Sequence, residues 1–255
     1  MPRCRHVTEI YKRKYSVGES KGLICCDDLA SIDAAIEQLR VARGQLDAFI
    51  RKFPEFKVTF EPWSWENKAQ VPPVAQRMIE ATTEFGVGPM AAVAGALIDE
   101  VYERIHGEWI SNFVMENGGE ILVRAARPMT IGLYAGKSSL GSKAGFVIPP
   151  DDVAISGIAS SSATIGHAIS FGNADVVTIF CKNATIADAA ATAICNMTQA
   201  VDETASIHQA LEGAKQYKSI TGVFAARGKQ VGMAGRLPKM IKLTGNEQDL
   251  LDFVV

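Results

Sequence analysis

Polar and apolar residues alternate from Val7 to Val17, as in a half-buried strand, and Leu23-Ile24-Cys25-Cys26 can return against it across the glycine-bearing stretch 18–22. The period then changes. Leu29, Ile32, Ala35, Ile36, Leu39, Leu46, Phe49 and Ile50 recur at helical spacing behind Asp27 or Asp28, either of which can cap the helix, and Pro54 ends it. Residues 56–60 read as another strand, followed by an irregular connection marked by Pro62, Trp63, Trp65, Pro72 and Pro73. Tryptophans in such a connection are core or loop anchors more often than a pocket floor. Pro73 opens a second helix that stops before Gly86-Val87-Gly88. Pro89 then takes the first position of a third, rich in small residues, that runs to about His106.

Further along, the alternation from Trp109 to Glu116 leads into Asn117-Gly118-Gly119-Glu120 and on to Ile121-Leu122-Val123. This is a hairpin signal, because Asn-Gly supplies the positive φ angles of a tight turn. Met129 to Ala135 reads as a strand, and Ala174 to Phe180 as a buried one rich in β-branched residues. Thr185, with Asp188 three residues on, makes a T-x-x-D capping pattern, so a helix is expected from about Ile186. Helix continues or restarts between Asn196 and Ala214. Residues 220–225 and 230–234 pair around Arg227-Gly228, 239–243 add one more strand, and an acidic tail spans 247–252.

Composition narrows the classes. The chain has 255 residues, 47% of them hydrophobic, and a net charge of −2, enough for one sizeable core. Lys and Arg are balanced by Asp and Glu with no basic stripe, which argues against a nucleic-acid partner. No apolar run reaches a membrane span and the first residues lack an apolar signal core, so a cytoplasmic protein without membrane partners is expected. Five cysteines, Cys4, Cys25, Cys26, Cys181 and Cys195, show no zinc-type pairing and suit a reducing compartment.

Groups with chemical potential concentrate between Ile155 and Ala193. Asp188 and Thr192 are four apart on the last predicted α-helix of that stretch, so a carboxylate and a hydroxyl share one face among alanines. One reading has Asp188 folding back on the Thr185 N–H as a cap. The other makes the two oxygens ligands of magnesium, which takes one or two protein oxygens and completes its octahedron with water and phosphate. His167 is either a hydrogen-bonded architectural histidine or a base, and the other three histidines have no metal-ligand spacing. Gly86-x-Gly88-x-x-Ala91 follows a helix and not a strand, so it is no dinucleotide fingerprint; a glycine-rich helix start remains, open to an anion. Gly136-Lys137-Ser138 has Ile131 where a phosphate loop needs glycine, and Ser160 to Ser162 form no nucleophile elbow.

Four segments in register, Gly86 to Gly95, Asn117-Gly118-Gly119-Glu120, Gly166 to Asp175 and Ala187 to Ala193, resemble the uncharacterised-protein branch of the ApbE-like superfamily, best over residues 56 to 200. The resemblance implies an α+β, T-fold-like architecture over the whole chain as one domain: antiparallel sheets with helices packed on one side and an internal pseudo-duplication into two halves. Better-known members are FAD:protein FMN transferases, which hold FAD and magnesium and move an FMN moiety onto a threonine of a partner protein. By that likeness Asp188 and Thr192 are metal ligands together with a carbonyl near Val93, and the Asn-Gly-Gly turn lies by the flavin. The cofactor contacts so implied are Gly88, Pro89, Met90, Asn117, Gly118, Gly119 and Glu120, with Ser160, Ser161 and Ser162. His167 is the candidate base that deprotonates an acceptor. The chain departs from the transferases in two places: Ala94 stands where they carry a lysine, and no His-x-Ile-Asp-Pro segment precedes the metal helix.

Two expectations follow. One is a magnesium-dependent transfer on FAD or a related nucleotide to an acceptor protein. The other is a binding or accessory protein that keeps the cavity without the chemistry, for example in sulfur assimilation, with Cys25, Cys26, Cys181 or Cys195 as the thiols concerned.

Overall fold

The computed structural model describes residues 9–64, 70–107, 110–133, 144–162 and 172–243. His167 and Cys4 lie outside them. Eight strands form one antiparallel sheet: β1 (Tyr11–Val17), β2 (Ser20–Cys26), β3 (Asn112–Asn117), β4 (Glu120–Ala125), β7 (Gly157–Ser161), β8 (Val176–Cys181), β9 (Ile220–Arg227) and β10 (Gln230–Gly235), in that order across the sheet. Hairpin, helices and hairpin therefore occur twice along the chain. The two runs join where β4 meets β7 through Ile121↔Ile158 and Leu122↔Gly157. Three further strands, β5 (Met129–Leu133), β6 (Ala144–Ile148) and β11 (Lys239–Lys242), make a small antiparallel sheet in the order β11-β6-β5.

Side-chain alternation assigns the two faces of the large sheet. Ile24, Phe113, Met115, Leu122, Ala159, Val177 and Ile179 point to the helices, whereas Cys25, Val114, Ile121, Ile158, Phe180 and Phe224 point to the small sheet. On that second side Phe146 of β6 packs edge-on against Phe180 and Phe224, with ring centroids 4.9 and 5.8 Å apart. The α+β architecture with helices on one side is thus as the resemblance implies, with the small sheet as the third layer.

Among the described residues six helices cover the first face: α1 (Leu29–Lys52), α2 (Glu55–Val58), α3 (Pro73–Phe85), α4 (Val93–Ile105), α5 (Ala184–Asn196) and α6 (Glu203–Lys215). No single helix among the described residues is long and apolar enough to cross a membrane. The choice left open at α1 goes to Asp28, whose carboxylate accepts from the Ser31 N–H at 2.7 Å. Asp27 instead accepts from the Ser111 and Asn112 N–H groups, tying the start of β3 to the end of β2.

Three local expectations are corrected. Residues 55–58 form the short helix α2 and not a strand; Phe56 is buried there, edge-on to Phe49 at 5.1 Å, so aromatic packing onto α1 overrides the β-leaning composition. Pro89 opens a single 3-10 turn, Pro89–Ala92, before α4 begins at Val93. The cap of α5 is Asn183, whose Oδ1 accepts from the Ile186 N–H at 2.9 Å, so Thr185 lies inside the helix.

Candidate functional site

The site is built where α4 and α5 cross. Gly95 makes the crossing possible: a Cβ there would lie 2.3 Å from the Ala184 carbonyl oxygen. At that distance each helix reaches the other's N-terminus, where backbone N–H groups lack intrahelical acceptors. Asp188 Oδ2 on α5 accepts from the Gly95 N–H of α4 at 3.0 Å. In return Asp99 on α4 accepts from the Ala184 N–H at 3.1 Å, the Thr185 N–H at 2.8 Å and the Thr185 hydroxyl at 2.5 Å. The two carboxylates are reciprocal caps, each also favoured by the other helix's dipole. The reading of Asp188 as a local cap on Thr185 is therefore corrected, because Asp99 already occupies that N–H.

The hairpin β3–β4 borders the same place. Its turn is Gly118-Gly119, with φ of +73° and +120°, while Asn117 closes the ladder opposite Glu120 and is no turn residue. The buried Asn117 amide donates to the Ala94 carbonyl at 3.4 Å, linking the hairpin to the first turn of α4. Glu116 accepts from the Gly119 N–H at 2.9 Å and stiffens the turn.

Burial dominates the electrostatics. It pushes the Asp188 carboxyl up to about 7 against the lowering effect of the Gly95 and Ala94 N–H groups, with Asp99 adding a further rise. Burial also holds Glu120 well above the usual carboxylate range, and the nearby Asp188 raises it further. Asp99 is raised by burial despite its bonds to Thr185 and Ala184. A buried place in which one carboxyl raises the proton affinity of the next, as Asp188 does for Glu120 and Asp99 for Asp188, attracts either a proton or a cation. Among the described residues, no three His, Cys, Asp or Glu side chains converge as a metal cluster.

Of the other expected residues, Ser161 points to the helix side of β7, buried, with its hydroxyl unpartnered among the described residues. Ser160 points to the opposite face and is hydrogen-bonded to Thr178 at 2.7 Å. Ser162 follows the end of β7. Thr192 is half-buried one turn beyond Asp188, and Gly88, with the buried Pro89 and half-buried Met90, forms the 3-10 turn leading into α4. Gly88 passes close to another backbone, since a Cβ would lie 2.1 Å from the Thr59 carbonyl oxygen. Asp99 was not singled out from the sequence, and its partners, 85 and 86 residues away, give no local signal.

The thiols are poorly placed for chemistry. Cys25, Cys26, Cys181 and Cys195 are buried and in no disulfide. Burial pushes Cys26 up to about 11 and Cys181 up to about 12, which disfavours the reactive thiolate.

Comparison with known proteins agrees with this fold. A family model described as AbpE bacteria matches residues 14–218. A UPF0280 protein of Methanocaldococcus jannaschii is 38% identical over 233 residues, covering 91% of this chain and 93% of its own. Another, of Methanospirillum hungatei, is 37% identical over 240 residues, 94% of this chain and 93% of its own. Among solved structures, the apo form of the flavinyl transferase ApbE of Pseudomonas stutzeri superposes with a TM-score of 0.56 at 12% identity, over 89% of this chain and 94% of that one. The ApbE protein of Thermotoga maritima gives 0.52 at 14%, over 96% and 99%. At such identities the likeness is one of fold.

Proposed function

The chain belongs to the AbpE bacteria family, and from that premise we propose that it binds FAD or a related flavin nucleotide together with one magnesium ion, at the face formed by the α4 N-terminus, the β3–β4 turn and α5. The observation that carries this reading is Asp188: a buried carboxylate drawn up to about 7, set against a helix N-terminus with Glu120 as its electrostatic neighbour. A carboxyl so placed is poorly satisfied by protein alone at neutral pH, and the donor set of Asp188 and the Thr192 hydroxyl, with Glu120 at hand, suits a hard cation. Bound there, magnesium supplies the positive charge that lets a pyrophosphate lie beside carboxylates.

The chain's own groups divide the remaining work. The Gly95 N–H, now held by Asp188, is a donor that a phosphate oxygen can take over when the carboxylate turns to a cation. Gly118 and Gly119 offer bare backbone against which a flat ring can lie, and Asn117 keeps that turn at a fixed distance from Ala94. Gly88, Pro89, Met90, Ser161 and Ser162 complete the proposed surround, whereas Ser160, bonded on the far face, does not belong to it. His167 is the proposed base for an acceptor hydroxyl. In a transfer step that oxygen bonds to the FMN phosphorus, the pyrophosphate bond breaks and AMP leaves.

Ala94 in place of the transferase lysine favours a second reading, in which the protein binds the nucleotide without transferring it. One experiment separates them: FAD fluorescence is titrated with the protein, with and without magnesium, and AMP is assayed. Magnesium-dependent binding that Asp188→Asn weakens at least tenfold supports the site, and AMP release decides for transfer. FAD that neither binds nor reacts with magnesium present refutes the site.

A further inference from the structure

A second concave site lies at the other end of β4. Glu120, Leu122 and Arg124 follow one another on the helix-facing side of that strand, so Arg124 is about 13 Å from Glu120 along it. Beside Arg124 opens a cleft of about 380 Å³ between the second half of α4 and the start of α5, lined among others by Arg77, Asp99, Tyr102, His106 and Asn183. A smaller cleft of about 170 Å³ adjoins it and shares Tyr102 and Arg124.

Charges elsewhere in the larger cleft are already matched. Arg77 donates from Nε to Glu100 at 3.0 Å and also binds Glu103. Asp99 is saturated by the N-terminus of α5. Arg124 differs. Its Nη2 reaches the Lys182 carbonyl at 3.4 Å, its guanidinium lies 5.8 Å from the centre of the Tyr102 ring, and its side chain also bonds the Tyr102 hydroxyl. Its Nη1 is buried without an acceptor among the described residues. A half-buried guanidinium held by neutral acceptors, a carbonyl and a phenol, has shed part of its water without gaining a counter-ion, a state that an anion relieves. Its planar fork matches carboxylate and phosphate oxygens two at a time.

Two neighbours have capacity to spare. Asn183 uses Oδ1 for the Ile186 N–H, which leaves its Nδ2 as a donor. His106 Nδ1 lies 3.2 Å from the Tyr102 carbonyl and so carries the proton in the neutral ring, leaving Nε2 to accept from a ligand hydroxyl or a protonated phosphate oxygen.

We propose that this cleft binds a small organic oxyanion, a carboxylate or a phosphate ester, with Arg124 as its counter-ion and Asn183 Nδ2 as a second donor. The site is separate from the flavin face and stands whether or not flavin binds. The test is calorimetric titration of the full chain in EDTA with inorganic phosphate and, separately, with glycolate. At least one probe is expected to bind at one site with a Kd of about 1 mM or tighter. The probe that binds identifies the anion class. Arg124→Gln is expected to weaken it at least about tenfold, because a charge-assisted fork is lost. Arg124→Lys, which keeps the charge, is expected to retain weaker binding and serves should the glutamine variant fail to fold. Binding unchanged in Arg124→Gln, or no binding of either probe up to about 20 mM, overturns the proposal.

Discussion

Replacing Asp99 by alanine tests the reciprocal capping on which the site's shape depends. In the folded chain this one carboxylate satisfies the Ala184 and Thr185 N–H groups and the Thr185 hydroxyl. Alanine leaves all three without an acceptor, in a place where Ala184 and Thr185 are buried. Each stranded buried donor costs about 1–3 kcal/mol, and a lost helix cap about 1 kcal/mol. The sum overstates the loss, because Asp99 lines the larger cleft and water entering from it can reach part of the gap. The expected loss is therefore about 2–4 kcal/mol. Asp99→Asn, which keeps one acceptor oxygen, should lose about half of that. Urea unfolding followed by circular dichroism measures both, with the m-value as a check that the same surface is exposed. A loss below about 0.5 kcal/mol for the alanine variant, the size of an ordinary surface change, would show that Asp99 is not what holds the α5 terminus.

Asp188, Glu120 and Asp99 all have carboxyls raised in the folded chain, Asp188 to about 7. Their stabilising contribution is full below the unfolded value of about 4 and is lost as pH rises through the folded values, since the folded state binds more protons in that window. Thermal unfolding should accordingly show wild type losing stability relative to Asp188→Asn between about pH 5 and pH 8; a gain over that interval contradicts the assignment. At the upper end, magnesium should raise the melting temperature of wild type and not of Asp188→Asn, as calorimetry can read. Gly95→Ala should cost at least about 3 kcal/mol, because its Cβ meets backbone at 2.3 Å and the helices must separate. Gly118→Ala, with φ of +73° and only the Glu120 carboxylate near, should cost about 1 kcal/mol in the same urea assay. Glu100→Ala removes the buried acceptor of Arg77 and Arg104, both at 3.0 Å, and should cost about 3 kcal/mol with little dependence on salt.

Periodicity carried most of the fold, and its failures have physical causes. The hairpins around Gly18, Gly118 and Gly228 were legible because each needs a positive φ that glycine supplies at a two-residue turn. The long α1 was legible from its apolar stripe. Residues 144–148 and 157–161 passed unread as strands: in the first the run Phe146-Val147-Ile148 is cut short by Pro149, in the second glycine, alanine and serine leave Ile158 as the one β-branched residue, and both take their strand state from pairing with distant partners. The α5 start was placed two residues late because Thr185 and Asp188 imitate a capping box, while their true partners, Asp99 and Gly95, sit on another helix. Asp188 itself stood out by spacing from Thr192. That Asp188 lies near enough to Glu120 to raise the latter's proton affinity, and that Asp99 completes the exchange, are facts of tertiary approach that no local window contains.

Because α4 and α5 each borrow an end from the other across 85 to 93 residues of chain, neither can be finished first. A chain severed between β5 and β6 would yield two pieces, each with a helix whose opening turn is bare, and mixing them should restore what neither piece forms alone. The duplicated layout that looks like two modules side by side thus behaves as a lock with two keyholes, in which each half holds the other's key.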